Sequence, residues 1–380
     1  MLKRKKTHPN KRGSMPAQHA DAGNQQAVPT MEPAFADGVL VILSANEQYV
    51  PYVSVVLQSL RENADPQRNY DVVVLNRDIG PESRSILSQQ MQAPNFSLRF
   101  YDAMQIMQAY AGLRVYGHFK LETYFRLIVP QIMPHSDKAV YLDSDLVVLH
   151  DVAALFDTDL SDNLIGATRD ADTAGMYNGY DPDMEQYLDQ VLQLGNPYDY
   201  FQAGVLVMNL QAFRDTYTTA EMLECAALRK WTLLDQDVLN YLAKGRVRYV
   251  DMAWNTLMDW EHLRRCSIIG LAPASLRLAY EQARRNPYIV HYAGPDNKPW
   301  EYRDADLGVY FWDYASRCPY RDLLCAELER AMSSSANRVK RVGHYWLYRV
   351  IMRSGNYIAP PHSRFRDYCY KIYHAMGGIH

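Results

Sequence analysis

Asp143 and Asp145 stand two residues apart in the run Lys138-Ala-Val-Tyr-Leu-Asp-Ser-Asp-Leu-Val-Val-Leu149. Side chains of a strand alternate between faces, so the two carboxylates project to one side and can grip one cation. Two like charges leaving an apolar strand are costly unless something positive neutralises them. No basic residue follows Lys138 within the run, which makes a divalent metal the economical partner. Such an ion acts as a Lewis acid on oxygens that gain negative charge. The plainer alternative is that both carboxylates cap the turn before Asp151.

The elements that must position this pair alternate between strand and helix. Val39 to Leu43 reads as a strand, and Tyr52, Val53, Val56, Leu57 and Leu60 then fall at helical spacing behind Pro51, a residue suited to a first turn. Asp71 to Leu75 is a second strand, Pro81 to Met91 a helix and Leu98 to Tyr101 a strand. Leu121, Tyr124, Phe125, Ile128 and Ile132 form the apolar face of a further helix, and Ala139 to Leu142 is the strand that carries Asp143 at its end. This order predicts an α/β fold, a Rossmann-like, mainly parallel sheet flanked by helices, with ligands at the carboxyl ends of its strands. Neither GxGxxG nor GxxxxGK[ST] is present, so dinucleotide and P-loop readings lose their motif.

A chain of 380 residues with 48% hydrophobic and 22% charged residues can bury one large core with a smaller appendage, and its net charge of −3 argues against a general nucleic-acid binder. Five cysteines without a CxxC pair suggest neither a zinc site nor a disulfide framework, and point to reduced thiols inside the cell. No apolar run approaches the ~20 residues that span a bilayer. The start MLKRKK is followed by His-Pro-Asn-Lys-Arg instead of an apolar stretch, so the expected location is cytoplasmic. Residues 1–37 read as a disordered basic tail with no part in the fold, 38–305 as the main domain and 306–380 as a helical, basic-aromatic extension. Within it, residues 331–380 hold eight cations (Arg338, Lys340, Arg341, Arg349, Arg353, Arg364, Arg366 and Lys371) against the single acid Asp367, interleaved with aromatics such as Trp346, Phe365 and Tyr368. That pattern suits peripheral attachment to an anionic cytoplasmic membrane face, and equally a C-terminal helix that docks its aromatics on the main domain.

Four segments in order, AVYLDSD, YFQAGVLVMNL (200–210), LDQDVLN (234–240) and HYAGPDNKPW (291–300), resemble glycosyltransferase family 8 over roughly residues 38–305. The resemblance is greatest to bacterial lipooligosaccharide galactosyl- and glucosyltransferases, with glycogenin more distant. It implies a GT-A fold and a retaining, metal-dependent hexosyltransferase that moves galactose or glucose from a UDP-sugar to a saccharide or glycolipid acceptor, in lipopolysaccharide, capsule or other surface glycan synthesis.

The resemblance also assigns roles. Asp143, Asp145 and His291 become metal ligands, a set of carboxylates plus one imidazole that suits Mn²⁺, with Mg²⁺ as the alternative. Lys298 supplies charge to the leaving phosphate, and Gly294 lets the backbone approach it. The interval from His291 to Lys298 is one residue longer than is common in the family, so the loop must bulge. Ser44, Ala45, Asn46, Gln48 and Tyr49 match the nucleotide-holding segment, where Tyr49 would stack on uracil and Asn46, often Asp in relatives, would read its polar edge. Arg126 and Ser144 are further donor contacts. Asp170, Gln202, Ala203, Gly204, Asp235 and Gln236 fall to sugar recognition, with Gln202 standing where relatives often have Asn. Asp237 reads as a helix-start carboxylate. The segment from Asp172 to Pro197, with Tyr177, Tyr180 and Tyr187, is the expected acceptor wall. Gln236 is the side chain nearest the reacting carbon and an amide is a poor nucleophile, which favours front-face substitution, with Asp170 or Asp235 as covalent alternatives.

Two other readings stay open from sequence. Asp143-Ser-Asp145-Leu-Val147 fits the DxDx[TV] pattern of haloacid-dehalogenase-type phosphatases with Asp143 as nucleophile, although those enzymes carry it on their first strand. A non-catalytic sugar-binding protein of the same fold is the other.

Overall fold

β1 (Val39–Ala45) and β2 (Tyr70–Asn76) are buried at every position, as parallel strands covered on both faces must be. They pair in parallel from Val39 opposite Tyr70 to Ala45 opposite Asn76. β3 (Phe96–Asp102) adds a parallel edge to β2 and is mostly half-buried. β4 (Lys138–Leu142) lies parallel on the other side of β1. The structure, a computed structural model, describes residues 28–333 apart from 111, 116–119, 260–262 and 295–296, together with 363–365 and 368.

The run that reads as one strand around Asp143 is two. β4 stops at Leu142, and β5 (Leu146–Val148) belongs to a second sheet. The cause is where the backbone bonds go: Asp143 N–H donates to Gly204 O at 2.8 Å, while Asp145 O accepts from Tyr292 N–H at 2.9 Å. Five further strands, β6 (Ile165–Arg169), β7 (Phe201–Asn209), β8 (Val247–Tyr249), β9 (Thr256–Leu257) and β10 (Ile289–His291), complete the two sheets. The large sheet has the order β3-β2-β1-β4-β7-β6-β8, with β7 antiparallel to both neighbours. The small sheet has the order β5-β10-β9.

The helices Val50–Glu62 and Pro81–Gln90 form where apolar spacing predicts them, each with proline in its first turn. Leu121–Ile132 departs from the single α-helix expected: it is a 3₁₀ segment over Leu121–Ile128 followed by a short helix over Val129–Ile132. Pro130 explains this, since it has no N–H for the carbonyl of Arg126 and its ring would crowd that carbonyl in a continuous α-helix. The apolar face is nonetheless used as expected, with Tyr124, Phe125 and Ile128 packed in one cluster with Ile42, Val73 and Leu75. Val53, Val56, Leu57 and Leu60 cover the opposite face with Val41, Leu43, Val72 and Val74. Full burial of each such side chain contributes about 1.5–3 kcal/mol.

Both flanks of the main domain, residues 28–37 and 308–333, are engaged further than the sequence suggests. Residues 28–37, counted with the tail, are held: Met31 N–H donates to Ile132 O, Ala34 N–H to Asp71 Oδ2, and Arg99 and Tyr101 donate to the carbonyls of Glu32 and Pro29. Residues 1–27 lie outside the described residues. At the other end, the helices Gly308–Ala315 and Arg321–Ser333 place Phe311, Tyr314, Ala315, Cys318 and Leu324 against Tyr52, Val55, Val147 and Trp300. Most of the basic-aromatic stretch beyond Ser333 lies outside the described residues, and Phe365 and Tyr368 within it are exposed. Among the described residues, no helix is long and apolar enough to cross a membrane.

Candidate functional site

The carboxyl ends of β1 and β4 meet at Asp143-Ser144-Asp145, the link that carries the chain from the large sheet to the small one. Ser144 Oγ donates to Ser44 O at 2.6 Å and locks the link to the end of β1. His291 ends β10, opposite Leu146 of β5 and Leu257 of β9. Its Nε2 lies 3.1 Å from Asp145 Oδ1 and 3.7 Å from Asp143 Oδ2. The three side chains offer ligand atoms that all lie within 4.8 Å of one another.

Two carboxylate oxygens and an imidazole nitrogen at this separation are a donor set for a hard or borderline divalent ion. The backbone beside them is shaped to match. A Cβ on Gly204 would sit 2.2 Å from His291 Cε1 and 2.7 Å from Asp143 Oδ2, so only glycine lets the ring and the carboxylate converge there. The residues therefore fit a metal.

One premise of the sequence reading changes. Asp143 and Asp145 do have cationic partners, brought from outside the run. Arg126 Nη2 lies 2.8 Å from Asp143 Oδ1 and its Nε 3.0 Å from Asp235 Oδ2. Lys298 Nζ lies 2.6 Å from Asp145 Oδ2 and donates also to Tyr292 O. Burial alone would raise the Asp145 carboxyl, but Lys298 and His291 beside it more than offset that and hold it far below the usual carboxylate range. Arg126 itself is fully enclosed, its guanidinium 4.0 Å from the Tyr141 ring centroid and bonded to Ala203 O. It acts here as the strut between β4, β7 and the helix Leu234–Leu242. In the segment before Lys298, Gly294 (φ 125°) and Asn297 (φ 60°) have left-handed backbone, and residues 295–296 between them lie outside the described residues.

Behind the metal ligands, Gln236 joins the helix Leu234–Leu242 to β7 and to Asp170. Its Oε1 accepts from Ala203 N–H at 2.9 Å, and its Nε2 donates to Asp170 Oδ2 at 3.2 Å. Asp170 also caps the helix Ala171–Gly175 through Thr173 N–H, and its burial raises its carboxyl above the usual range. Burial likewise pushes Asp235 up to about 6, with Arg126 and Thr123 opposing the shift. Asp235 is held by those two partners. Asp237 accepts from Tyr187 Oη and Tyr200 Oη at 2.6 Å each and from Leu233 N–H, a structural role, and Tyr187 is half-buried.

At the end of β1, Ser44 and Ala45 are buried, Gln48 is exposed, and Tyr49 is half-buried and edge-on to Tyr52. Asn46, expected to read the base, is also engaged within the protein. Its Oδ1 caps the 3₁₀ turn Glu47–Tyr49 through Tyr49 N–H, and its Nδ2 donates to Glu122 Oε1 at 3.1 Å. Glu122, which carries no motif, is buried beside it and its Oε2 has no partner.

Three more residues of the site escape local sequence patterns. Asn255 meets both His291 Nδ1, at 2.9 Å, and Gln202 Oε1, at 2.7 Å. Thr123 bonds Asp235. Arg264 pairs with buried Asp172 at 2.6 Å and bonds Met258 O and Ala293 O; burial still pushes Asp172 up to about 6. Apart from Met258, six residues from Arg264, each partner is remote in sequence, and no short spacing announces it.

The family model described as "Glycosyl transferase family 8" matches residues 40–304, more than half of the chain. The chain belongs to glycosyltransferase family 8. Among its family relatives, glycosyltransferase GlyF of Streptococcus pneumoniae is 27% identical over 296 residues, 76% of this chain and 62% of GlyF. The lipopolysaccharide 1,3-galactosyltransferase of Salmonella typhimurium is 26% identical over 207 residues, 52% of this chain and 55% of that enzyme. The apo structure of the bifunctional glycosyltransferase WbbM matches with a TM-score of 0.71 and 29% identity, over 78% of this chain and 53% of WbbM. Galactosyltransferase LgtC, solved with donor and acceptor sugar analogues, matches with a TM-score of 0.58 and 26% identity, over 74% of this chain and 96% of LgtC. This family 8 chain thus spans less than two thirds of GlyF and of WbbM. Membership removes the phosphatase alternative, and the strands β1 to β3 that precede Asp143 agree with that.

Proposed function

We propose that the protein is a retaining, metal-dependent hexosyltransferase that moves galactose or glucose from a UDP-sugar to a saccharide or glycolipid acceptor in surface glycan synthesis. The observation that carries the reading is the convergence of Asp143, Asp145 and His291 at the strand ends, directly in front of the Ala203–Gly204 backbone and the Gln236–Asp170 pair. The names of the lipopolysaccharide 1,3-galactosyltransferase and of LgtC favour a galactosyl donor among hexoses.

In this reading Asp143, Asp145 and His291 hold Mn²⁺ or Mg²⁺, which as a Lewis acid would stabilise charge on the departing diphosphate. Lys298, on the same side as Asp145, adds a point charge toward the leaving phosphate. Gly204 keeps the backbone low enough for the sugar to approach, and Asp170 and Gln202 accept or donate to its hydroxyls. Gln236 is anchored through both ends of its amide. It is a weak nucleophile but a fixed dipole beside the reacting carbon, which supports front-face departure and attack with the donor phosphate taking the acceptor's proton. Ser44, Ala45, Tyr49 and Ser144 line the nucleotide side.

A panel of nucleotide sugars with Mn²⁺, scored by release of free nucleotide with and without chelator, tests the reading. Turnover of UDP-galactose or UDP-glucose that chelation abolishes is expected. Donor binding with no nucleotide release under any metal would assign the chain to the non-catalytic alternative.

A further inference from the structure

Gly204 N–H donates to Gln202 Oε1 at 2.5 Å, and that single backbone group fixes the polarity of a chain of contacts ending at His291. A backbone N–H can only donate, so the Gln202 atom facing it is the oxygen. The same oxygen lies 2.7 Å from the Asn255 amide, which must therefore present its NH₂. The other end of that amide, its oxygen, then faces His291 Nδ1 at 2.9 Å. An amide oxygen can only accept, so Nδ1 carries a proton. When the ring is cationic, Nε2 donates to Asp145 Oδ1, 3.1 Å away; when the ring holds one proton, the amide keeps it on Nδ1 and Nε2 is left as a lone pair, aimed at the space shared with Asp143 and Asp145. Asn255 is buried and sits in the 3₁₀ turn Met252–Asn255 that leads into β9, the strand paired with β10.

We propose that Gln202 and Asn255 are positioning residues which set the tautomer of His291, so that Nε2 is presented as a metal ligand. The inference rests on reading Asp143, Asp145 and His291 as the metal site. It divides the Gln202 amide between two roles, with Oε1 serving the relay and Nε2, without a protein partner among the described residues, left for the donor sugar. An asparagine at 202 is one methylene shorter, so the glutamine is what carries the oxygen between Gly204 N–H and Asn255. Partners of this kind, one step removed from the ion, typically govern about 10–100-fold in metal affinity.

The test uses the full chain with nitrogen-15-labelled histidine. Long-range proton–nitrogen NMR reads the tautomer under alkaline conditions without metal, and His291→Gln identifies the signal. Mn²⁺ alone is titrated by electron paramagnetic resonance. The expected result is a proton on Nδ1 in the wild type. In Asn255→Leu that proton should be redistributed and Mn²⁺ affinity should fall by about 10–100-fold. Gln202→Met, which frees the amide to turn, should show the same two changes, whereas Gln202→Glu keeps an acceptor at that point and should preserve both properties. Should Asn255→Leu fail to fold, the two Gln202 variants carry the comparison. Wild-type spectra and wild-type Mn²⁺ affinity in Asn255→Leu or Gln202→Met would overturn the relay. A wild type that keeps the proton on Nδ1 yet binds no Mn²⁺ would uphold the relay and discard the metal reading instead.

Discussion

Replacing Gly204 with alanine puts a methyl group where the His291 ring and the Asp143 carboxylate converge. The new Cβ would lie 2.2 Å from His291 Cε1, 2.7 Å from Asp143 Oδ2 and 2.8 Å from His291 Nδ1. Carbon atoms in contact sit about 3.5–4.0 Å apart, so the ring must retreat by about 1 Å or more. Metal ligands tolerate about 0.2 Å, and a misplacement of about 1 Å at a reacting centre costs on the order of 10²-fold in rate. The expected outcome for Gly204→Ala is therefore at least a 10²-fold loss of nucleotide release and a matching loss of Mn²⁺ affinity. Overpacking of a buried strand costs about 1–3 kcal/mol, a loss a large domain survives. Gly166→Ala is the control, because its Cβ would meet only Leu160 and Val207, at 2.9 Å and 3.3 Å, in the same sheet. Thermal denaturation and circular dichroism should rank the two variants together, while metal titration should separate them. Gly204→Ala with wild-type Mn²⁺ binding and turnover would refute the convergence of the three ligands on one ion.

Asp145→Asn removes a ligand charge at nearly constant volume, so Mn²⁺ binding by calorimetry should fall and activity should not return when Mn²⁺ is added after chelation; full activity in chelator would discard the metal role. Gln236→Ala should lower turnover by on the order of 10²–10³ if the amide acts as a fixed dipole, with the α configuration of the donor kept in the NMR spectrum of the product; a β product would exclude retention. Truncation after Ser333 spares Leu324 and Leu328, which are buried, and removes eight cations worth up to about 1 kcal/mol each near an anionic surface. Co-sedimentation with anionic vesicles should then be lost at unchanged nucleotide release, and equal binding by both forms would dismiss the membrane attachment.

How legible each part was depended on how far its causes reach along the chain. β1 and β2 could be read because each carries an unbroken apolar run, Val39 to Leu43 and Val72 to Leu75, that is buried on both faces, and the helix after β1 because its apolar spacing is local. Asp143, Asp145 and His291 came from ordered motifs. The break between β4 and β5 could not be read, since it is imposed by hydrogen bonds to Gly204 and Tyr292, on segments far along the chain. The counter-charges behave alike: Arg126 and Lys298 reach the aspartates from 17 and 153 residues away. The contact of Asn46 with Glu122 could not be read because nothing in its neighbourhood announces a partner 76 residues away. Asn255 was invisible for want of any local pattern, although a buried amide just ahead of a strand next to the His291 strand is the kind of residue that orients a ligand.

The ligand residues belong to different sheets. Asp143 is tied to β7 in the large sheet, while Asp145 O and His291 belong to the small one, so an ion bound there would rivet two independently hydrogen-bonded layers together. Occupancy then becomes a mechanical property. An ion present at 100 times its dissociation constant would add about 2.7 kcal/mol to the work of parting the layers. The amides of β5, β9 and β10 should accordingly exchange more slowly with deuterium once it is bound, and the slowing should reach the helix Gly308–Ala315, which packs on Val147. The helix Gly308–Ala315 would in this way sense whether the ion is bound, through the stiffness of a seam.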